Sequence, residues 1–111
     1  EIFMSEMCQL SINISSDIAE ELMSHLWLIP EIVTGCTCIP AQGFGSHQHY
    51  RNIQEKIRGA TERNLILLIL PLATVPLILA HIQKKFKSSD CFYWVLPTIA
   101  SGYAGQGKVN E

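Results

Sequence analysis

Two pairs of metal-binding side chains lie close together in the first half of the sequence. Cys36 and Cys38 are separated by one residue, and so are His47 and His49. Thiolates and neutral imidazoles are the ligands that zinc, copper, nickel and cobalt bind readily. In an extended segment, side chains two residues apart point to the same side. The spacing therefore predicts a candidate site for a divalent transition metal with these four side chains as ligands.

Each of the histidines and cysteines also has a simpler interpretation. For the two loop histidines it is a pair of solvated side chains, although a third ligand from a neighbouring subunit could complete a site, since a structural metal needs about four ligands. Buried free cysteine often behaves as a small hydrophobic side chain, and the strand patterns predict this role for Cys8 and Cys91. His25 and His81 lie within predicted helices, where a packed or solvated imidazole is usual.

A glycine-containing segment with basic residues after it offers a second kind of site. Gly43 and Gly45 flank Phe44, and glycine backbone amides can cradle a phosphate. The basic side chains that follow are Arg51, Lys56, Arg58 and Arg63. A single Gly-x-Gly is weakly specific and no P-loop is present, so a solvated, charged loop surface is the competing interpretation.

Composition narrows the class of protein. The chain has 111 residues, of which 48% are hydrophobic and 16% charged, which favours one folded domain over residues 1–111 rather than a disordered chain. The formal charge of −2 gives no case for nucleic-acid binding. Four cysteines without a recognisable signal peptide indicate a reducing compartment, and hence a cytoplasmic protein. The apolar run 65–80 is too short for a membrane span and contains two prolines.

Periodicity predicts six main elements. Residues 8–14 alternate as a strand does, and an apolar stripe then predicts a helix that ends at Pro30. Strands are predicted at 33–39, ended by Pro40, and at 62–70, with a long loop at about 41–60 between them. A second helix follows Thr74, a fourth strand covers 91–96, and a flexible tail is expected from about 98 to 111.

This order, β-α-β-loop-β-α-β, predicts the α+β ferredoxin-like βαββαβ sandwich. Two helices would cover one face of a four-stranded antiparallel sheet, with the first and third strands in its centre. The third strand is apolar on both faces, as a central strand should be. The other sheet face would carry Tyr93 or its neighbours and stay uncovered, which indicates oligomerisation.

Two segments resemble a known family. Residues 34–47, Thr-Gly-Cys-Thr-Cys-Ile-Pro-Ala-Gln-Gly-Phe-Gly-Ser-His, and residues 92–97, Phe-Tyr-Trp-Val-Leu-Pro, are similar to one uncharacterised family of the nitrogen regulatory protein PII superfamily. That family is encoded beside heavy-metal cation efflux pumps. The resemblance implies a small cytoplasmic homotrimer that senses a ligand and signals by moving its long loop.

The resemblance also implies where a ligand would bind. PII relatives hold adenine nucleotides in clefts between subunits near the base of this loop, through glycine amides and basic side chains. In this sequence the matching residues are Gly43, Gly45, Arg51, Arg58 and Arg63. The related CutA proteins, which share the architecture, are linked instead to divalent-cation tolerance.

Three functions therefore compete, and none of them is enzymatic, because no catalytic triad, paired acidic motif or nucleophile elbow is present. The first is a regulatory protein that binds a divalent transition metal and acts on a cation efflux pump component. The second is an adenine-nucleotide sensor of the ordinary PII type. The third is an interaction module whose loop docks on a partner without any small ligand.

Overall fold

The structure is a computed structural model that describes residues 6–33, 35–45, 50, 52–86 and 91–106. Four strands and three helices follow one another in the order β1 (Met7–Ser15), α1 (Ala19–Leu26), β2 (Thr37–Gly43), α2 (Ile53–Arg58), β3 (Thr61–Pro71), α3 (Val75–Lys85) and β4 (Cys91–Pro97). Single turns of 3-10 helix follow β3 at Leu72–Thr74 and β4 at Ala104–Gln106. Residues 44–60 are called the β2–β3 connection below.

The strands form one antiparallel sheet in the order β2-β3-β1-β4. This is the ferredoxin-like arrangement that the sequence predicts, with β1 and β3 in the centre. Among the described residues, no helix is long and apolar enough to cross a membrane.

The hydrophobic core lies between the helices and one face of the sheet, called the covered face here. Because side chains alternate along a strand, every second residue of β1 and β3 points into it. These strand residues are Cys8, Leu10, Ile12, Ile14, Ile66, Leu68 and Leu70, all buried. The helices contribute Leu22 and Leu26 from α1 and Ile78 and Ile82 from α3. The apolar stripes found in the sequence are therefore the core-facing sides of these two helices.

The opposite face of the sheet, called the open face here, carries the other alternating set. In the register, Ser11 lies beside Leu67 on one neighbouring strand and Trp94 on the other. Phe92 and Leu96, also on this face, are 66% and 51% exposed. The sequence predicts such an uncovered face. Tyr93, however, pairs with Ile12 and lies on the covered face, so its neighbours and not Tyr93 form the open one.

The second strand lies four residues later than the sequence suggests. The prediction of 33–39 with Pro40 as its end is wrong, since β2 runs through Pro40 to Gly43. Proline lacks the N–H that a central strand needs but is tolerated at a sheet edge. Because β2 pairs only with β3 among the described strands, Pro40 can lie opposite Asn64 within it.

The predicted loop of about 41–60 is also more structured than expected, because it includes the end of β2 and the whole of α2. Ile18 is the N-cap of α1 and makes no side-chain capping hydrogen bond, while Asp17 accepts a hydrogen bond from the Ser15 hydroxyl. The predicted tail from residue 98 includes the 3-10 turn at 104–106, and its last five residues lie outside the described ranges.

Candidate ligand site at the base of the β2–β3 connection

The β2–β3 connection leaves and rejoins the sheet at a narrow base. Gly43, the last residue of β2, lies opposite Thr61, the first of β3. The Thr61 hydroxyl lies 3.5 Å from the Gly43 carbonyl oxygen, at the limit of a hydrogen bond. Two residues after Gly43, Gly45 has a backbone φ of 149°, a value that residues with a side chain rarely adopt. A backbone conformation that favours glycine therefore follows closely after the end of β2.

The other end of the connection is a short capped helix. The Asn52 side-chain oxygen accepts a hydrogen bond from the Glu55 N–H at 2.9 Å, and a cap of this kind contributes about 1 kcal/mol. Gly59 ends the helix in the left-handed conformation, with φ 70°. Its N–H donates to the Glu55 carbonyl at 2.9 Å. These two ends explain why so short a segment forms a helix.

A buried carboxylate holds this helix against the sheet. Glu55 is fully buried, and its Oε2 accepts a hydrogen bond from the Glu62 backbone N–H at 2.9 Å. A buried charge costs free energy unless hydrogen bonds compensate for it, so this contact defines the position of α2. Glu55 thus connects α2 to the start of β3 and fixes the second half of the connection.

The two described arginines of the predicted ligand site are engaged on opposite sides of the sheet. Arg58 forms a 2.9 Å ion pair with the Glu62 carboxylate, and both side chains are well exposed. Arg63 directly follows Glu62 on β3. Because side chains alternate along a strand, the Arg63 side chain points to the open face. There it donates to Asn13 twice, from Nε to the side-chain oxygen at 2.7 Å and from Nη2 to the carbonyl oxygen at 3.1 Å. A single chain does not bring Arg58 and Arg63 into one cluster.

The cysteines of the predicted metal site pack against the core. Cys36 precedes β2, and Cys38 lies on the covered face opposite Ile66. The Asn64 side-chain amide donates to Cys38 Sγ at 3.3 Å. Burial, and secondly the neighbouring Cys38, raises the pKa of the Cys36 thiol. Both cysteines contact core residues, as cysteines in a packing role do.

Nothing in the described ranges adds support for a metal at these cysteines. Across them, no three His, Cys, Asp or Glu side chains are grouped so as to hold a metal ion. His47, His49 and Arg51 lie outside the described residues. Their roles as metal ligands and as a phosphate contact stay predictions from the sequence.

Sequence reasoning missed the residues that build the base of the connection. Asn52 and Glu55 have the N-cap and N3 spacing that marks a helix start, and Gly59 follows at a helix end, so local signals were present. The partnership between Asn13 and Arg63 joins residues 50 positions apart. Only the register of β1 against β3 reveals it.

The four-stranded antiparallel sheet with helices on one face is a ferredoxin-like fold of the PII type. The fold is similar to that of a nitrogen regulatory PII-like protein, CPII, from Thiomonas intermedia K12, solved with ADP, AMP and bicarbonate (TM-score 0.60, 21% identity, covering 80% of this chain and 86% of CPII). It is also similar to Arabidopsis thaliana PII bound to citrate (TM-score 0.64, 15% identity, covering 85% and 78%).

At the level of sequence, the model of the DUF3240 family, proteins of unknown function, matches residues 4–104, and the chain therefore belongs to this family. The crystal structure of a family protein from Shewanella baltica OS155 has a TM-score of 0.71 at 21% identity, covering 89% of this chain and 97% of that one. A search of the curated proteins gives no match. At such identities the structural likenesses show the fold, and the ligands named belong to those other proteins.

Proposed function

We propose that this protein is a non-enzymatic, cytoplasmic PII-like regulator that binds an adenine nucleotide at the base of the β2–β3 connection and signals through movement of that connection. The observation that carries the proposal is the anchored base. Glu55 fixes α2 to β3 by accepting the 2.9 Å hydrogen bond from the Glu62 N–H, and at the other end Gly45 has a φ of 149°, which favours glycine. The nucleotides bound to CPII from Thiomonas intermedia support the choice of ligand.

The chemistry at this base suits phosphate. Gly43 and Gly45 have no side chains to keep a phosphate away from their backbone amides. Within the part of the chain that the structure describes, Arg58 is held by an exposed ion pair with Glu62, and such a pair contributes about 0–1 kcal/mol. Its guanidinium can therefore turn to a phosphate at little cost and form charge-assisted hydrogen bonds there. Arg51 would add a second positive charge from the connection.

Arg63 would serve a site of this kind from a second subunit. It lies on the open face, where Phe92 and Leu96 expose apolar surface that a neighbouring copy would cover. We propose that copies of the chain assemble through this face as a homotrimer, the number of subunits resting on the family resemblance. Light scattering after size exclusion tests the assembly, and a monomer at micromolar concentrations would contradict it.

Isothermal titration with ADP, AMP and ATP tests the nucleotide proposal. We expect binding that weakens roughly 10–100-fold in Arg58→Ala, because a hydrogen bond to a charged group contributes about 1.5–3 kcal/mol. Lys84→Ala, which removes an exposed positive charge at the end of α3, is the matched control and should bind as the unaltered protein does. No heat with any of the three nucleotides at millimolar concentration would refute the proposal.

The metal-linked alternative rests on the paired histidines and cysteines, with a component of a heavy-metal cation efflux pump as the partner. Titration with zinc, copper, nickel and cobalt, repeated on His47→Ala combined with His49→Ala, separates it from the nucleotide proposal. Zinc binding that requires these two histidines, with no response to nucleotides, would favour metal sensing. If both titrations are silent, a partner-binding role for the connection is left, and a pull-down with and without residues 42–57 tests it.

A further inference from the structure

Two histidines that the proposed function does not use face each other across the helix layer. His25 of α1 and His81 of α3 have ring centroids 5.9 Å apart, with 65° between the ring planes. Both side chains are half-buried. In the sequence they are 56 positions apart with no motif around either, so only the fold brings them together.

The helices hold this pair in place. Each histidine directly precedes a core residue, Leu26 on α1 and Ile82 on α3, and both of these are buried. One helical turn away, Glu21 and Lys85 form a second contact across the same interface, at 3.7 Å. These two contacts, one turn apart and in opposite chain directions, show that α1 and α3 run antiparallel, with Leu26 and Ile82 packed in the core beside them. The histidine pair is therefore set by the core and not by the rotamer of an isolated surface side chain.

The separation suits two ligands of one metal ion. Zinc–nitrogen bonds are about 2.0–2.1 Å, which places the centroids of two imidazoles on one ion roughly 5–6 Å apart. The observed 5.9 Å lies in this range. Terminal ring torsions are broad and cheap to adjust, so a small rotation would turn one nitrogen of each ring toward a shared ion. We propose that His25 and His81 form a two-imidazole site for a divalent transition metal, with zinc as the probe ion, between α1 and α3.

Two charged residues beside the histidine pair affect its affinity for a cation. Glu21 lies one turn before His25 on α1, the spacing at which two side chains share a helix face. Its partner Lys85 holds it only through an exposed contact of 3.7 Å, so the carboxylate can be released cheaply. The Lys85 ammonium, in turn, repels a bound cation. Phe86 packs edge-on against His25, with 6.2 Å between ring centroids, and covers one side of the pair.

Only two protein ligands are in place within the described ranges, so water would fill the other positions and binding should be weaker than at a four-ligand structural site. A metal here would connect the two helices that cover the sheet. It would stabilise the folded state without involving the β2–β3 connection. This separates the site from the one predicted at His47 and His49.

Zinc titration calorimetry, with cobalt absorption as a second probe, tests the proposal on the unaltered chain and on His25→Gln and His81→Gln. Cobalt distinguishes imidazole from thiolate ligands, because thiolates add strong near-ultraviolet charge-transfer bands. Loss of an outer-shell partner weakens metal binding about 10–100-fold. Because His25→Gln and His81→Gln each remove a direct ligand, we expect either variant to weaken zinc binding at this site by more than that. His47→Gln combined with His49→Gln, which leaves both helices unchanged, should retain this binding and a cobalt spectrum without thiolate bands.

Unchanged zinc affinity in both helix variants would overturn the proposal and leave the ring contact as packing alone. Binding lost only in the His47 and His49 variant, or a cobalt spectrum dominated by thiolate bands, would overturn it as well. If either helix variant fails to fold, Lys85→Gln decides the matter, since it removes an exposed charge and an exposed contact with Glu21 that contributes little to stability. Tighter zinc binding in Lys85→Gln supports the site, and unchanged binding contradicts it.

Discussion

The two faces of the sheet differ in what one chain provides to cover them. On the covered face, Leu10, Ile12 and Ile66 are buried under α1 and α3. On the open face, Phe92 and Leu96 remain largely exposed. The same strands form both faces, so the difference arises from the placement of the helices and from the alternation of side chains along each strand.

The contrast shows which part of the molecule is complete in a single chain. The apolar side chains of the covered face are buried within the single chain. The open face instead combines exposed apolar surface with polar side chains at its centre on β1. There Gln9 donates to the Ser11 hydroxyl at 3.3 Å, and Arg63 is held by Asn13. A face of this composition suits contact with another copy, in agreement with the proposed assembly.

The largest expected effect compares neighbouring residues of β3 on the two faces. Ile66→Ala should lower the free energy of unfolding by about 2–5 kcal/mol, because it opens a cavity in the core. Leu67→Ala, on the open face and only half-buried, should cost clearly less when unfolding is followed at a concentration where the protein is monomeric. Urea denaturation measures both. Equal losses would mean that the open face is already packed within the single chain.

The next effect concerns polar contacts near the start of β3. Glu55→Ala leaves the Glu62 N–H without its carboxylate acceptor. It should therefore lower the free energy of unfolding by about 1–3 kcal/mol or more. Arg58→Ala, which removes only the exposed ion pair to Glu62, should cost less than about 1 kcal/mol. The same denaturation experiment measures both variants. If Glu55→Ala proved as mild as Arg58→Ala, the carboxylate would not be the anchor of the connection.

The smallest effect is a pH dependence that arises from thiols on the covered side. Burial raises the pKa of Cys8 above its ordinary value of 9.0, and burial and Cys38 do so for Cys36. Both thiols are protonated in the folded and unfolded chain at neutral pH, so their stabilising contribution is complete there. As the pH rises past 9.0, the unfolded chain loses these protons first and the contribution falls.

Unfolding free energies at about pH 7 and about pH 10, compared between the unaltered chain and Cys8→Ala with Cys36→Ala, measure this effect. The unaltered chain should lose more stability over the interval than the double variant. An equal loss in the two proteins would show that the thiols do not contribute, since lysines and tyrosines titrate in both.

The fold was predictable because its main signals are local. Alternation in β1 and the helical stripes report burial directly, and two-sided apolarity marks β3 as central. The end of β2 was not predictable in this way, because whether Pro40 breaks a strand depends on whether the strand lies at an edge.

The site was less predictable than the fold. The capping pair of Asn52 and Glu55 was visible in the sequence, but the hydrogen bond from the Glu62 N–H to the Glu55 carboxylate depends on how α2 packs. The contact of Arg63 with Asn13 and the approach of His25 to His81 are likewise consequences of register and helix packing. Spacing along the chain carries no information about contacts of this kind.

Hydrogen–deuterium exchange with and without saturating ADP tests the central claim most directly. If the nucleotide binds at the base of the β2–β3 connection, amides of residues 44–60 should exchange more slowly with ADP, while those in the centres of β1 and β3 stay unchanged. Arg58→Ala should reduce this protection. Exchange of residues 44–60 that ADP leaves unaltered would contradict the account.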